Sequence, residues 1–186
     1  GGVYYSLGET QKALEKFNES LPIKRAIGDP DTEAITLHNI GGVYQSMGET
    51  RKALEKLNEA LPLRRAVGDR RGEATTLNNI GSVYQALRET QKALQKYNEA
   101  MPLLRAVGDR KGEANLFGNI GTVYLSLGET QKALEKYNEA LPLVQAMGDR
   151  RGEATMLLSI GSAFRALEEM RKALEKFNEA LSILRA

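Results

Sequence analysis

Gly8-Glu9-Thr10-Gln11-Lys12-Ala13-Leu14-Glu15-Lys16 returns unchanged at Gly128 to Lys136, 120 residues further along. Related copies begin at Gly48, Arg88 and Glu168, so the spacing is 40 residues with no insertion or deletion. Gly28-Asp29, Gly68-Asp69, Gly108-Asp109 and Gly148-Asp149 mark the seams at the same interval. Self-similarity at a fixed period of this length is the signature of an array of small supersecondary units.

Each period reads as two helices. In the second period Asp29 can cap a helix, and Pro30 follows at the first helical position, where its missing N–H costs nothing. Leu37, Ile40, Tyr44 and Met47 then recur at three- and four-residue steps, an apolar helical stripe. Gly48 can close this helix in the left-handed conformation. A second helix starts near Thr50, turns Ala53, Leu54, Leu57, Ala60, Leu61 and Val67 inward, and stops at Gly68. The short connection makes the two helices antiparallel. On the second helix the apolar positions, including Ile23, Leu63, Leu103, Leu143 and Ile183, cover about half the circumference at ~3.6 residues per turn. A helix with one neighbour needs less. It must touch both its own partner and the next hairpin, which implies a solenoid.

Gly41, Gly81, Gly121 and Gly161 fall inside the first helices, where Gly is destabilising by about 0.5–1 kcal/mol relative to Ala. Their recurrence implies close helix approach. Pro22, Pro62, Pro102 and Pro142 fall inside the second helices, a position that commonly costs about 3 kcal/mol. Helical phase puts them on the outer face, so a kinked but unbroken helix is expected. Ser182 replaces proline in the last copy.

The pattern resembles the tetratricopeptide repeat over the whole chain, most clearly at Leu77, Ile80, Gly81, Tyr84, Ala93, Tyr97 and Ala100. The period here is 40 residues instead of that family's commoner 34, so longer helices are expected. Thr50 stands where the family usually has an aromatic, and Arg88 and Glu168 replace the inter-helix glycine. The Ala-Leu-Pro-Leu and Gly-Asp-Arg-Arg-Gly-Glu phrases look like those of long bacterial arrays joined to CHAT protease domains. They are also similar to repeats of spindle-orientation adaptors and kinesin light chains. The resemblance implies an all-α, right-handed superhelical solenoid of antiparallel hairpins. The array is read as one domain, residues 1–186, with a partial repeat 1–28 followed by 29–68, 69–108, 109–148 and 149–186. The resemblance also implies a concave groove, lined by the first helices, that holds a peptide or protein partner.

Helical phase reaches the same surface. The side of each first helix turned away from its apolar stripe carries His38, Asn39 and Gln45 in the second unit. It carries Thr75, Asn78, Asn79, Ser82 and Gln85 in the third, Asn115, Asn119 and Thr122 in the fourth, and Arg165 in the fifth. Asn39, Asn79 and Asn119 form a ladder one repeat apart. An Asn carboxamide both donates and accepts, so it can clamp a guest backbone; the same side chains could instead bond a neighbouring helix and order the array. In the peptide-binding relatives the matching asparagines act as clamps.

Other readings are disfavoured. Lys and Arg number 26 against 24 Asp and Glu, a net charge of +2, which gives nucleic acid or an anionic membrane no strong attraction. The absence of cysteine removes disulfides, thiolate metal sites and cysteine nucleophiles. His38 is the only histidine, and it has no ligand or catalytic partners in the pattern. No enzyme activity, metal or cofactor is expected. No apolar run approaches the ~20 residues of a membrane span, and a cytoplasmic location is expected. Tyr4, Tyr44, Tyr84, Tyr124 and Phe164 read as core. The start at Gly1, mid-repeat and without Met, reads as an excised piece. The alternative function is structural: both ends lack a polar capping helix, so copies would stack end to end.

Overall fold

The computed structural model describes residues 1–185, and among these ten α-helices follow one another. They are α1 (Gly2–Ser6), α2 (Thr10–Ile27), α3 (Pro30–Ser46), α4 (Thr50–Ala66), α5 (Arg70–Ala86), α6 (Thr90–Ala106), α7 (Arg110–Ser126), α8 (Thr130–Ala146), α9 (Arg150–Ala166) and α10 (Met170–Arg185). Packing divides the chain into two compact units, Gly1–Leu103 and Leu104–Ala186. In the first, α3 packs on α4, α2 on α3, and α4 on α5; in the second, α7 packs on α8, α8 on α9, and α9 on α10.

Turn chemistry sets the helix ends. After α3 the Glu49 N–H bonds the Tyr44 carbonyl and the Gly48 N–H bonds the Gln45 carbonyl, at 2.9 and 3.1 Å. This is a Schellman cap, which needs a left-handed residue where Gly48 sits at φ 75°. Arg88 and Glu168 take the same conformation, at φ 60° and 62°, so the turn survives the loss of glycine. A non-glycine residue there is strained by roughly 1–2 kcal/mol.

The repeated Gly-Asp-x-x-Gly-Glu phrase closes the other seams. Asp69, Asp109 and Asp149 each accept a 2.9 Å hydrogen bond from the N–H of the glycine three residues on. A Cβ on Gly72 would lie 2.1 Å from the Asp69 carboxylate, so this cap and this glycine go together. The following glutamate reaches the preceding helix: Arg25 to Glu33 at 2.7 Å, Arg65 to Glu73 at 2.6 Å, and Gln145 to Glu153 at 2.8 Å.

Within each hairpin the first helix presents a glycine to a large side chain of the second. A Cβ on Gly41 would lie 2.7 Å from Leu57, on Gly81 2.4 Å from Tyr97, on Gly121 2.5 Å from Tyr137, and on Gly161 2.6 Å from Phe177. Tyr97 is fully buried, so its ring cannot swing aside.

The four prolines lie exposed within continuous helices, as expected for an outer face. Two expectations about the core are corrected. Met47 and Val67, read as inward, are 37% and 39% exposed, because each is the capping residue where its helix has already turned toward the seam. Ile23 is 60% exposed, whereas Leu63, Leu103 and Leu143 are half-buried. Tyr44, Tyr84 and Tyr124 are only half-buried, Tyr44 and Tyr124 packing at the edge of the core clusters, and Lys52, Lys92 and Lys132 each sit 5.4 Å from the ring centre. That distance permits a cation–π contact.

One buried charge breaks the regularity. Arg64 occupies the site held by Leu104 and Val144 in the next two hairpins, both 4% exposed. Its Nη1 reaches Asp69 at 2.5 Å and Asp31 at 3.1 Å, while its Nε is buried without a partner.

Gly81→Ala should lower stability by about 1–3 kcal/mol in urea denaturation, because overpacking against Tyr97 outweighs alanine's better helix propensity. Arg88→Gly should raise it by about 1 kcal/mol by relieving the left-handed strain. Arg64→Leu should be neutral or stabilising by up to about 2 kcal/mol, since it removes a buried charge with an unpartnered Nε and leaves behind only Asp31 and Asp69, whose side chains are 52% and 31% exposed and can be solvated. A clear loss of stability in Arg64→Leu would mean that the pairs to Asp31 and Asp69 more than offset burial.

Candidate functional site

In the first unit α3 and α5 lie side by side. The face they share follows from helical phase: Ala34, Leu37, Ile40 and Val43 are buried on one side of α3, leaving Ile35, Asn39, Gly42 and Gln45 half-buried or exposed on the other. Likewise α5 buries Ala74, Leu77, Ile80 and Val83 and presents Thr75, Asn78, Asn79, Ser82 and Gln85. From α1 the Tyr5 hydroxyl donates to the Gly42 carbonyl at 3.3 Å, placing that ring at the edge of the same face.

His38 does something the sequence reading did not assign to it. Its Nδ1 lies 3.0 Å from Thr76 Oγ1 and its Nε2 lies 3.2 Å from Asn79 Nδ2. An amide nitrogen only donates, so Nε2 accepts and the proton resides on Nδ1, which donates to Thr76. Both ring nitrogens are therefore committed within the protein. His38 holds α3 to α5, and both of its ring nitrogens are spent on that contact. Asn79 spends one N–H on this bridge and keeps a carbonyl oxygen and a second N–H. Burial, and then the charge on Arg64, press the His38 pKa down from 6.5 to about 4.

A second feature was absent from the sequence reading. Tyr97 of α6 reaches past Gly81 so that its hydroxyl meets the α5 face, 3.1 Å from Gln85 Oε1 and 3.3 Å from Ser82 Oγ. Its proton goes to Gln85, so Ser82 donates to it. Burial raises the Tyr97 pKa, keeping the phenol neutral. The second unit repeats this: Thr122 Oγ1 donates to the Gly118 carbonyl at 2.9 Å and therefore accepts from Tyr137 OH at 3.3 Å. A signal was there to be read. Tyrosine stands 15 residues after Ser82 and after Thr122, while the equivalent sites hold Phe17, Leu57 and Phe177.

The remaining expected residues separate by unit. In the second, α7 and α9 present Asn115, exposed, and Asn119, half-buried, with Thr122 and Arg165 exposed. Gly118 lies buried beneath Met156, and Leu158 is 42% exposed, so this face is less polar than that of the first unit. The hydroxyls of Thr155, Ser159 and Ser162 are turned back onto carbonyls of α9 itself, at 2.8–3.0 Å. Thr75 does the same on α5, at 2.9 Å. Asn78 and Asn119 also have interactions within the protein. Among the described residues no group of three or more His, Cys, Asp or Glu side chains could hold a metal ion, and no helix is long and apolar enough to cross a membrane.

The sequence matches the tetratricopeptide repeat in four overlapping stretches, residues 1–66, 32–106, 72–146 and 112–186. The chain belongs to this family. Its fold is the family's all-α solenoid of helical hairpins. No curated protein matches it in sequence. Among solved structures, it is similar to BtubC (BKLC) from P. vanneervenii, with a TM-score of 0.87 at 22% identity over 99% of this chain and 76% of that one. It is also similar to a putative kinesin light chain from Podosopora anserina with nearly identical TPR-like repeats. There the TM-score is 0.78 at 15% identity, over 97% of this chain and 90% of that one. A Rap protein complexed with Competence and Sporulation Factor gives 0.85 at 16% identity over 98% of this chain and 51% of that one. At these identities the likeness is one of fold.

The lone imidazole makes the α3–α5 contact measurable. Since folding lowers the His38 pKa, the unfolded chain binds the extra proton between pH 6.5 and about 4. Stability is therefore full above pH 6.5 and falls as the pH drops through that window, by on the order of 3 kcal/mol. An NMR titration of the His38 ring should give a midpoint near 4, and Arg64→Leu should raise it. A midpoint near 6.5 in the folded protein would mean a solvated ring and no bridge.

Proposed function

We propose that this chain is a non-catalytic protein-interaction scaffold that binds a peptide or protein segment along the face formed by its first helices. Family membership supports the general role, because helical-repeat proteins use such stacked faces as binding surfaces. The observation that carries the specific reading is the α3–α5 face. It is polar and nearly uncharged, with half-buried carboxamides at Asn39, Gln45, Asn79 and Gln85, and a tyrosine hydroxyl holding Gln85 in place. Amides that keep unspent donors and acceptors match the alternating N–H and C=O groups of an extended chain. Part-buried hydrogen bonds from Tyr97 to Gln85 and from Asn79 to His38 pre-order two of these side chains, which reduces the entropy lost on binding. Asn115, Asn119, Thr122 and Arg165 would extend the same role in the second unit.

Basic residues do not dominate this face, which favours a polypeptide over RNA or an acidic ligand. No identity for the partner is implied. The likeness to a Rap protein complexed with Competence and Sporulation Factor bears on the fold, and the holding of a separate partner is the mode we extend to this chain.

Peptides selected from a random 12-residue display library on the immobilised protein provide the probe. Their affinity should fall about tenfold or more in Asn39→Ala/Gln85→Ala, on the scale of two buried hydrogen bonds. Lys52→Ala on the outer face should leave it unchanged. Selected peptides that bind equally to wild type and to Asn39→Ala/Gln85→Ala would remove this face from the site.

A further inference from the structure

Two carboxamides on the α3–α5 face are tied to the protein by opposite ends. Asn79 donates from Nδ2 to His38 Nε2 at 3.2 Å, so its nitrogen is the tied end. Gln85 accepts the Tyr97 hydroxyl proton on Oε1 at 3.1 Å, so there the carbonyl is tied. Among the described residues Arg64 Nε is the only buried side-chain nitrogen or oxygen without a hydrogen-bond partner. The Asn79 oxygen and the Gln85 nitrogen are therefore open to solvent, the one an acceptor and the other a donor of two hydrogens.

The anchors themselves are held. Thr76, which accepts from His38 Nδ1 at 3.0 Å, is fully buried, and so is Tyr97, whose ring lies against Gly81. A carboxamide without an anchor can turn about its last torsion and exchange oxygen for nitrogen, because that torsion is broad and roughly two-fold. Reversing Asn79 would set its oxygen against the lone pair of Nε2. Reversing Gln85 would turn its N–H groups toward a hydroxyl whose proton already points at them. The other units supply the contrast. Gln45 stands on α3 where Gln85 stands on α5, but Leu57 takes the place of Tyr97 and brings no hydroxyl. In the second unit Gly118 and Leu125 occupy the columns of His38 and Gln85, so neither pairing is repeated there.

We infer that His38 and Tyr97 are positioning residues that give the α3–α5 face a fixed hydrogen-bonding polarity, so that it takes a polypeptide whose backbone N–H meets Asn79 and whose backbone C=O meets Gln85. The inference rests on the binding role proposed for this face and adds the sense in which the guest is read. Six positions separate the two carboxamides, about 9 Å along α5 at ~1.5 Å per residue. An extended guest covers that length with about three residues.

The ring is read first in the free protein. At neutral pH, 15N NMR should find His38 Nε2 unprotonated and Nδ1 protonated, and the reverse would overturn the inference. The guest probe is a peptide selected by display as above, remade with one backbone N–H at a time replaced by an ester oxygen. At one position the ester should weaken binding about tenfold or more, and in Asn79→Ala that penalty should vanish. His38→Leu should shrink the penalty, while His38→Gln, whose side-chain oxygen can accept from Asn79, should keep it. Tyr97→Phe should weaken the all-amide peptide about threefold or more, but not in a Gln85→Ala background. Gln85→Glu keeps the oxygen that takes the Tyr97 proton and removes both donors, so it should cost about tenfold. Leu158 already stands in the His38 column, and Phe17 and Phe177 in that of Tyr97, so helix content should stay as in wild type. An ester penalty at no position, one that survives Asn79→Ala, or one unchanged in His38→Leu would overturn the inference, as would full affinity in Gln85→Glu. The binding face itself would stand after such results, provided the peptides still require Asn39 and Gln85. A library that yields no binder, or peptides indifferent to Asn39→Ala/Gln85→Ala, would remove face and inference together.

Discussion

The two helices of each hairpin approach so closely that the first has room for nothing larger than hydrogen at one point. Gly41, Gly81, Gly121 and Gly161 mark that point, each pressed against a leucine, tyrosine or phenylalanine of the second helix. Contact at this distance lets dispersion forces act over whole side chains, and it offsets the entropy of placing glycine in a helix. It also has a chemical consequence. Where the large residue is tyrosine, the ring passes the glycine and its hydroxyl emerges among the polar side chains of the first helix. In this way a packing constraint reaches the candidate site directly.

Between hairpins the joints are electrostatic as well as apolar. An aspartate caps the incoming helix, a glycine three residues later makes room for its carboxylate, and the next glutamate reaches back to the outgoing helix. Helix dipole and ion pair act in the same sense, since both place negative charge at a helix N-terminus. Surface pairs of this kind add little stability singly. Repeated at three seams, and replaced at the fourth by the hydrogen bond from Gln145 to Glu153, they favour one rotational setting of hairpin on hairpin, and the apolar stripes then supply the energy.

Near-identical units carry a hazard, because each could pair with the wrong neighbour. The departures from the repeat bear on this. His38 bridges to Thr76 and Asn79, while the same columns hold Leu116 and Asn119 one unit later. Arg64 is buried where later units hold Leu104 and Val144. Buried polar groups tolerate few partners, so such departures distinguish one seam from another even where they add no stability.

Much of this molecule follows from residue order alone. The 40-residue period, the positions of Gly and Asp at the turns and the three- and four-residue apolar steps determine helix number, helix ends and hairpin pairing. They also determine which side of each first helix is polar, because local turn chemistry and helical phase act over a few residues. Met47 and Val67 mark the limit of that reasoning: phase extended one residue too far, past the point where the chain leaves the helix. What side chains do on the polar face depended on atoms brought together across 38 and 41 residues at His38, and across 12 and 15 at Tyr97. Spacing along one helix cannot reveal that both nitrogens of an imidazole are taken, or that a core phenol surfaces beside Gln85. Only the packed structure decides this, because hydrogen bonds act over about 3 Å and depend on direction, whereas a sequence pattern locates a side chain only to within a face of its helix.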